Sequence, residues 1–124
     1  MKYLLLLLLG LMGGQAYGHQ FMPAYPKLEP SYVDGVLVTK MELFNSREDV
    51  EYYELSVFTS EWEPVPFATE DKIINVEYLK RKIIEIYIRQ QDRNRAVYIC
   101  SKSKLRPNNM QATVVSSRIC SKIK

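Results

Sequence analysis

Two runs of strict alternation in the first half of the chain constrain its fold more than any other feature. From Val36 to Phe44, Leu37, Thr39, Met41 and Leu43 alternate with Val38, Lys40 and Glu42; from Tyr52 to Phe58, Tyr53, Leu55 and Val57 alternate with Tyr52, Glu54, Ser56 and Phe58. A period of two sends successive side chains to opposite faces of an extended chain, so each run reads as a strand with one face buried. Asn45-Ser46-Arg47-Glu48-Asp49 turns the chain between them. Glu63-Pro64-Val65-Pro66 ends the second run, because a central strand cannot hold two prolines.

The rest of the chain keeps this rhythm. In residues 72–89, Val76, Leu79, Ile83 and Ile86 fit a helical stripe, whereas Ile84, Ile86 and Ile88 fit a strand. Strand is the better reading, since isoleucine-rich segments suit a pleated surface, and Lys80-Arg81-Lys82 is expected to break the segment into two short strands. Gln90 to Arg95 reads as a polar turn, Ala96 to Ser101 as a strand, Arg106-Pro107-Asn108-Asn109 as a turn and Ala112 to Ile123 as a last strand. About seven strands give an all-β sandwich, one domain over residues 36–124, entered through an extended segment and first strand at 19–35 that carries Pro23, Pro26 and Pro30.

Ahead of this lies a secretory pattern: Met1-Lys2 is positive, Leu4 to Leu9 with Leu11 and Met12 is apolar, and Ala16-Tyr17-Gly18 is a small-x-small cleavage site. Cleavage before His19 leaves about 106 of the 124 residues, in the periplasm or outside the cell. The apolar run is shorter than the ~20 residues a membrane span needs, and no later stretch is long enough. Export makes a disulfide the expected state of Cys100 and Cys120. Opposed residues in an antiparallel hairpin have indices of constant sum, which centres the connection of this pair on Met110, beside Pro107-Asn108-Asn109. Turn chemistry and cysteine spacing therefore both set the two cysteines facing one another, about 4.5 Å apart between Cα atoms if they occupy a non-hydrogen-bonded pair.

Other functions find little support. The net charge is +3, from 17 Lys and Arg against 14 Asp and Glu, too low for a dedicated nucleic-acid binder. Gly35 is the one glycine after the leader, so no phosphate-cradling loop can be drawn. No mid-chain histidine supports a nucleophile, and Glu51, Glu54, Glu61 and Glu63 read as solvated surface, so neither catalysis nor a cofactor is expected. Two cysteines cannot supply a structural zinc site. His19 is the one candidate metal ligand: a mature amino-terminal histidine can chelate copper, with Met22 as a soft neighbour, against the plainer expectation of an inert flexible terminus. Basic residues gather late in the chain (Arg89, Arg93, Arg95, Lys102, Lys104, Arg106, Arg118, Lys122, Lys124), which puts the positive end at the final hairpin.

Ala96-Val97-Tyr98-Ile99-Cys100 resembles the sixth strand of an immunoglobulin domain, in which a tyrosine two positions before a cysteine makes a corner hydrogen bond. The cysteine logic differs, because no cysteine lies upstream and Trp62 has none to pack on. Met41-Glu42-Leu43-Phe44-Asn45, Cys100-Ser101-Lys102 and Cys120-Ser121-Lys122 are similar to the immunoglobulin-like N-terminal domain of the periplasmic pilus-assembly chaperones whose last two strands share a disulfide. This resemblance implies an immunoglobulin-like sandwich that binds a protein partner, a pilus-like subunit or assembly component, through its last strand. It implies a carboxylate-holding role for Lys122 and apolar contacts from Val115 and Ile119, with Val114 and Ile123 beside them. The family's first-strand arginine has no counterpart between His19 and Phe44, Lys27 being the nearest substitute, and the family's second immunoglobulin-like domain has no counterpart within these 124 residues. A structural or decorating component of an extracellular or viral assembly is the alternative role, and a small copper protein a further one.

Overall fold

The computed structural model describes residues 18–104 and 116–124; the leader, the turn at Arg106–Asn109 with Met110, and the segment bearing Val114 and Val115 lie outside them. The described residues hold eight strands: β1 (His19–Met22), β2 (Glu29–Pro30), β3 (Val36–Asn45), β4 (Tyr52–Phe58), β5 (Ile73–Asn75), β6 (Arg81–Arg89), β7 (Tyr98–Lys104) and β8 (Arg118–Lys122). β3 forms the axis of the first sheet. Its C-terminal half pairs with β1, its N-terminal half with β2, and its other side pairs along its length with β6, all antiparallel. The second sheet runs β5-β4-β7-β8, also antiparallel.

The alternation read from the sequence becomes the core. Leu37, Met41 and Leu43 of β3, Tyr53, Leu55 and Val57 of β4, Ile84, Ile86 and Ile88 of β6 and Ile99 of β7 are all buried between the sheets. Burying a branched aliphatic or aromatic side chain contributes about 1.5–3 kcal/mol, and these face each other from both layers, as an aligned sandwich requires. The chain is thus an all-β sandwich. β3 and β4 match their predicted runs within a residue, and the 72–89 segment is extended.

Three boundaries differ from expectation; the last strand, expected over Ala112 to Ile123, is Arg118–Lys122 among the described residues, with Ser116, Ser117 and Ile123 outside it. The break between β5 and β6 falls at residues 76–80 rather than at Lys80-Arg81-Lys82, so Arg81 and Lys82 belong to β6. The cause is Asn45: its carbonyl accepts from the Leu79 N–H (2.7 Å) and its N–H donates to the Lys80 carbonyl (3.1 Å), with Leu79 held in the left-handed region at φ 60°. β7 begins at Tyr98 rather than Ala96, because the Ala96 N–H is spent on the Asp92 carbonyl (3.0 Å) in the turn that follows the 3-10 helix Gln90–Asp92. In that turn the buried carboxylate of Asp92 accepts from Arg89 Nε (2.8 Å) and an Arg95 guanidinium nitrogen (3.1 Å), so two of the late basic residues serve the corner. Gly35, at φ 77°, makes the tight turn into β3 that a residue with a Cβ would strain.

Candidate functional site

β8 is an edge strand, and its hydrogen bonding decides what it can offer. The Ile123 N–H bonds to the Val97 carbonyl (2.8 Å) and the Ser103 N–H to the Ser117 carbonyl (2.9 Å). Alternation along an antiparallel ladder then makes Cys100–Cys120 and Lys102–Arg118 non-hydrogen-bonded pairs, with the main chain of Arg118, Cys120 and Lys122 turned away from β7. The Lys122 and Lys124 N–H groups are taken by the carbonyls of Ala24 and Pro26 (2.9 Å each), so the proline-bearing leading segment closes the far end of the edge. At Arg118 and Cys120 the outward N–H and C=O have no main-chain partner among the described residues. This two-residue stretch is the open part of the edge.

The cysteines meet as expected. Cys100 and Cys120 are disulfide-bonded, with Cα atoms 4.0 Å apart, at a non-hydrogen-bonded position on the outer face of the second sheet. Lys122 is exposed two residues further on, at the boundary between the open and closed parts of the edge. Lys27 directly follows Pro26, the residue that receives the Lys124 N–H. Ile119 and Ile123 are half-buried against the core, so the two described members of the predicted apolar set point into this domain and not outward. Val114 and Val115 lie outside the described residues.

Around the disulfide is a group of side chains that sequence reading did not assemble. The Trp62 ring stacks on Tyr98 (centroids 4.4 Å, planes 2° apart), with Phe58 at 5.8 Å and the Arg118 guanidinium 4.9 Å from the Trp62 ring. Trp62 reaches them because it adopts a left-handed backbone at φ 65° in the turn closed by the Thr59 N–H to Glu63 carbonyl bond (2.9 Å). Tyr98 therefore is not an immunoglobulin corner tyrosine: its ring is committed to Trp62, and its hydroxyl makes no hydrogen bond among the described residues. The Phe58 ring is flanked by Trp62 and by the Arg118 guanidinium, 5.7 Å from its centroid. Lys102, Lys104, Arg118 and Lys122 share this face, Lys104 paired with Glu54 at 3.3 Å.

His19 is not a flexible terminus. It starts β1, is buried, and lies between the sheets with its ring 4.6 Å from that of Tyr53. Nε2 is 2.9 Å from the Ser101 hydroxyl and Nδ1 is 3.3 Å from the Ser117 hydroxyl, which ties β1 to β7 and to the approach of β8. Burial, with the Arg47 guanidinium nearby, lowers the imidazole pKa despite the Ser101 hydrogen bond. Met22 sits on the opposite face of β1, away from the imidazole, and among the described residues no group of three or more His, Cys, Asp or Glu is placed to hold a metal ion. Beneath His19, the Tyr53 hydroxyl donates to Asn45 Oδ1 (2.5 Å), and Asn45 Nδ2 donates to the carbonyls of Val50 (2.7 Å) and Val76 (2.8 Å). Asn45, the end of the motif that carried the family resemblance, is a structural knot. Val50 and Tyr53 follow it within eight residues, whereas Val76 lies 31 residues on, and that bond is one no local pattern could mark.

No protein-family model matches the sequence, and no curated protein matches it. Among solved structures, the chain is similar to the crystal structure of the E. coli chaperone DraB, at a TM-score of 0.63 and 13% sequence identity. The match covers 88% of this chain and 54% of that one, so the chain spans about half the length of the chaperone. At that identity the likeness establishes a shared sandwich fold.

Proposed function

We propose that this domain is an exported protein-binding module of the pilus-chaperone kind, taking up a partner strand along the open stretch of β8. The observation that carries the reading is the outward main chain of Arg118 and Cys120, unpaired among the described residues on a strand that the disulfide fastens to β7. An edge held in place by a cross-link loses little conformational entropy when another strand adds to it, and its main-chain donors and acceptors supply affinity with little dependence on side chains. The Lys122 ammonium, at the closed end of that stretch, is suited to hold a partner carboxylate, and Arg118 and Lys102 on the same side favour an acidic partner. The shared fold with a chaperone and a disulfide suited to an oxidising compartment support the same reading.

Affinity capture of the exported protein, with identification of what accompanies it, is the direct test. Arg118→Pro removes one outward N–H without touching the β7 ladder, so it is expected to abolish capture, while Arg118→Ala, which spares that N–H, retains it. Lys122→Glu is expected to weaken capture about tenfold with an unchanged circular dichroism spectrum. Wild-type capture by a folded Arg118→Pro variant would overturn the proposal.

A further inference from the structure

On the outer face of the second sheet, one sulfur is hidden although its position would leave it bare. Cys100 faces outward from β7, since Ile99 and Ser101 on either side of it are buried toward the core, yet it is only 1% exposed. Its neighbours across the sheet are Ser56 of β4 and Cys120 of β8, neither large enough to cover it. Along its own strand the next outward residues are Tyr98 and Lys102. A side chain from outside the sheet must close over the disulfide, and Trp62 is placed to do it.

Tyr98 and Arg118 stand at opposite corners of the cysteine pair. Tyr98 is two residues before Cys100 on β7 and Arg118 two before Cys120 on β8, and the strands are antiparallel, so the disulfide lies on the diagonal between them. The Trp62 ring meets both corners: its centroid is 4.4 Å from that of Tyr98 and 4.9 Å from the Arg118 guanidinium carbon. A ring that meets both ends of a diagonal crosses its middle. The same guanidinium lies 5.7 Å from the Phe58 ring, so two aromatic rings hold the cation on this side. The cover is also fixed at its base: Thr59 Oγ1 accepts from the N–H groups of Glu61 (3.2 Å) and Glu63 (3.1 Å), and the Trp62 N–H donates to the Thr59 carbonyl (3.0 Å).

Thiol–disulfide exchange needs a clear approach to sulfur. A thiolate attacks one sulfur, forms a mixed disulfide with it and expels the other as thiolate; the second thiol of a dithiol then displaces the remaining cysteine. Two electrons and two protons pass to Cys100 and Cys120, and the dithiol closes into a disulfide of its own. With Cys100 covered, half-buried Cys120 is the sulfur left in contact with solvent. We propose that Trp62, held by Tyr98 and Arg118, is a shield that keeps the Cys100–Cys120 bond out of thiol exchange, so that the staple on β8 persists in folded protein that meets dithiols. Strand addition at the β8 main chain plays no part in this, and the two proposals fail separately.

Trp62 lies at φ 65°, a conformation glycine adopts without strain, so Trp62→Gly removes the ring and keeps the turn. Reduction of the oxidised protein by dithiothreitol, followed by alkylation and mass measurement of the free thiols, reads the shield directly. It is expected to run about tenfold faster in Trp62→Gly, and within about threefold of the original rate in Trp62→Phe, which retains a ring. The rate in Trp62→Gly should rise in proportion to dithiothreitol, as direct attack on a folded protein does, whereas reduction through global unfolding levels off at the unfolding rate. Trp62 is the one tryptophan of the sequence, and a disulfide against an indole quenches its emission, so reduction of the original protein is expected to brighten it. Reduction of Trp62→Gly at the original rate, a Trp62→Gly rate that levels off as dithiothreitol is raised, or tryptophan emission unchanged by reduction would each overturn the proposal.

Discussion

His19 and Tyr53 lie ring against ring between the sheets, and each sets one limit on the pH range in which the domain is stable. Burial makes the folded state hold imidazole neutral more firmly than the unfolded chain does, so the folded pKa of His19 lies below the ordinary value of 6.5. Its contribution is complete above the unfolded pKa and is lost as pH falls below it, because the unfolded chain then binds the proton more readily. Thermal melts are expected to show a midpoint that falls from pH 7 to pH 5, and His19→Gln should flatten that part of the profile. The opposite limit belongs to Tyr53, whose phenol is pushed up to about 12 by burial. A raised acid pKa contributes stability below the unfolded value of about 10 and loses it as pH rises through 10 to 12. Absorbance of tyrosinate should register one phenol that ionises late, together with unfolding, and Tyr53→Phe should remove that late phase at a cost of about 1 kcal/mol for the lost hydrogen bond.

Between elements, one side chain does much of the joining. Asn45 ends β3, yet its amide donates to the loop before β4 at Val50 and to the link after β5 at Val76, while its Oδ1 accepts from Tyr53 and from the Arg47 N–H (2.9 Å). Every polar group of the amide is satisfied in a fully buried place. Asn45→Ala therefore leaves several buried groups unpaired at once, and a loss of about 3 kcal/mol or more is expected in chemical denaturation. Asn45→Asp, isosteric but without donors, should lie close to it. Comparable stability of the alanine variant and the original would show that the loops find other partners.

For the whole molecule, the disulfide staples β7 to β8 within one sheet, and the two sheets are joined without it, by core packing, by the His19–Ser101 and Tyr53–Asn45 hydrogen bonds and by the main-chain bonds from Lys122 and Lys124 to Ala24 and Pro26. Its sulfurs are 20 residues apart in sequence, and closing such a loop in the unfolded chain contributes about 3 kcal/mol. The Cys100→Ala, Cys120→Ala double variant is expected to lose roughly that amount while retaining a β-rich circular dichroism spectrum, because the core between β3, β4, β6 and β7 stays intact. Hydrogen exchange should then quicken first in residues 118–122, the strand the cross-link fixes. Uniform quickening across both sheets would instead show that the staple supports the sandwich as a unit.

The sequence alone determined the layered β architecture, because period two is a local property: a strand's inward face is set by every second residue, wherever the strand comes to lie. Leu37 to Leu43 and Tyr53 to Val57 were legible in this way, and so was the Cys100–Cys120 pair, since hairpin register follows from counting. Only the tertiary structure decided which polar residues became buried and which edges stayed open. His19 meets Ser101 and Ser117 across 82 and 98 residues, Trp62 lands on Tyr98 through a left-handed turn, and the ends of Ala24–Pro26 close half of the β8 edge. Such contacts depend on how two sheets stack and where loops cross them, which no pattern along the chain encodes.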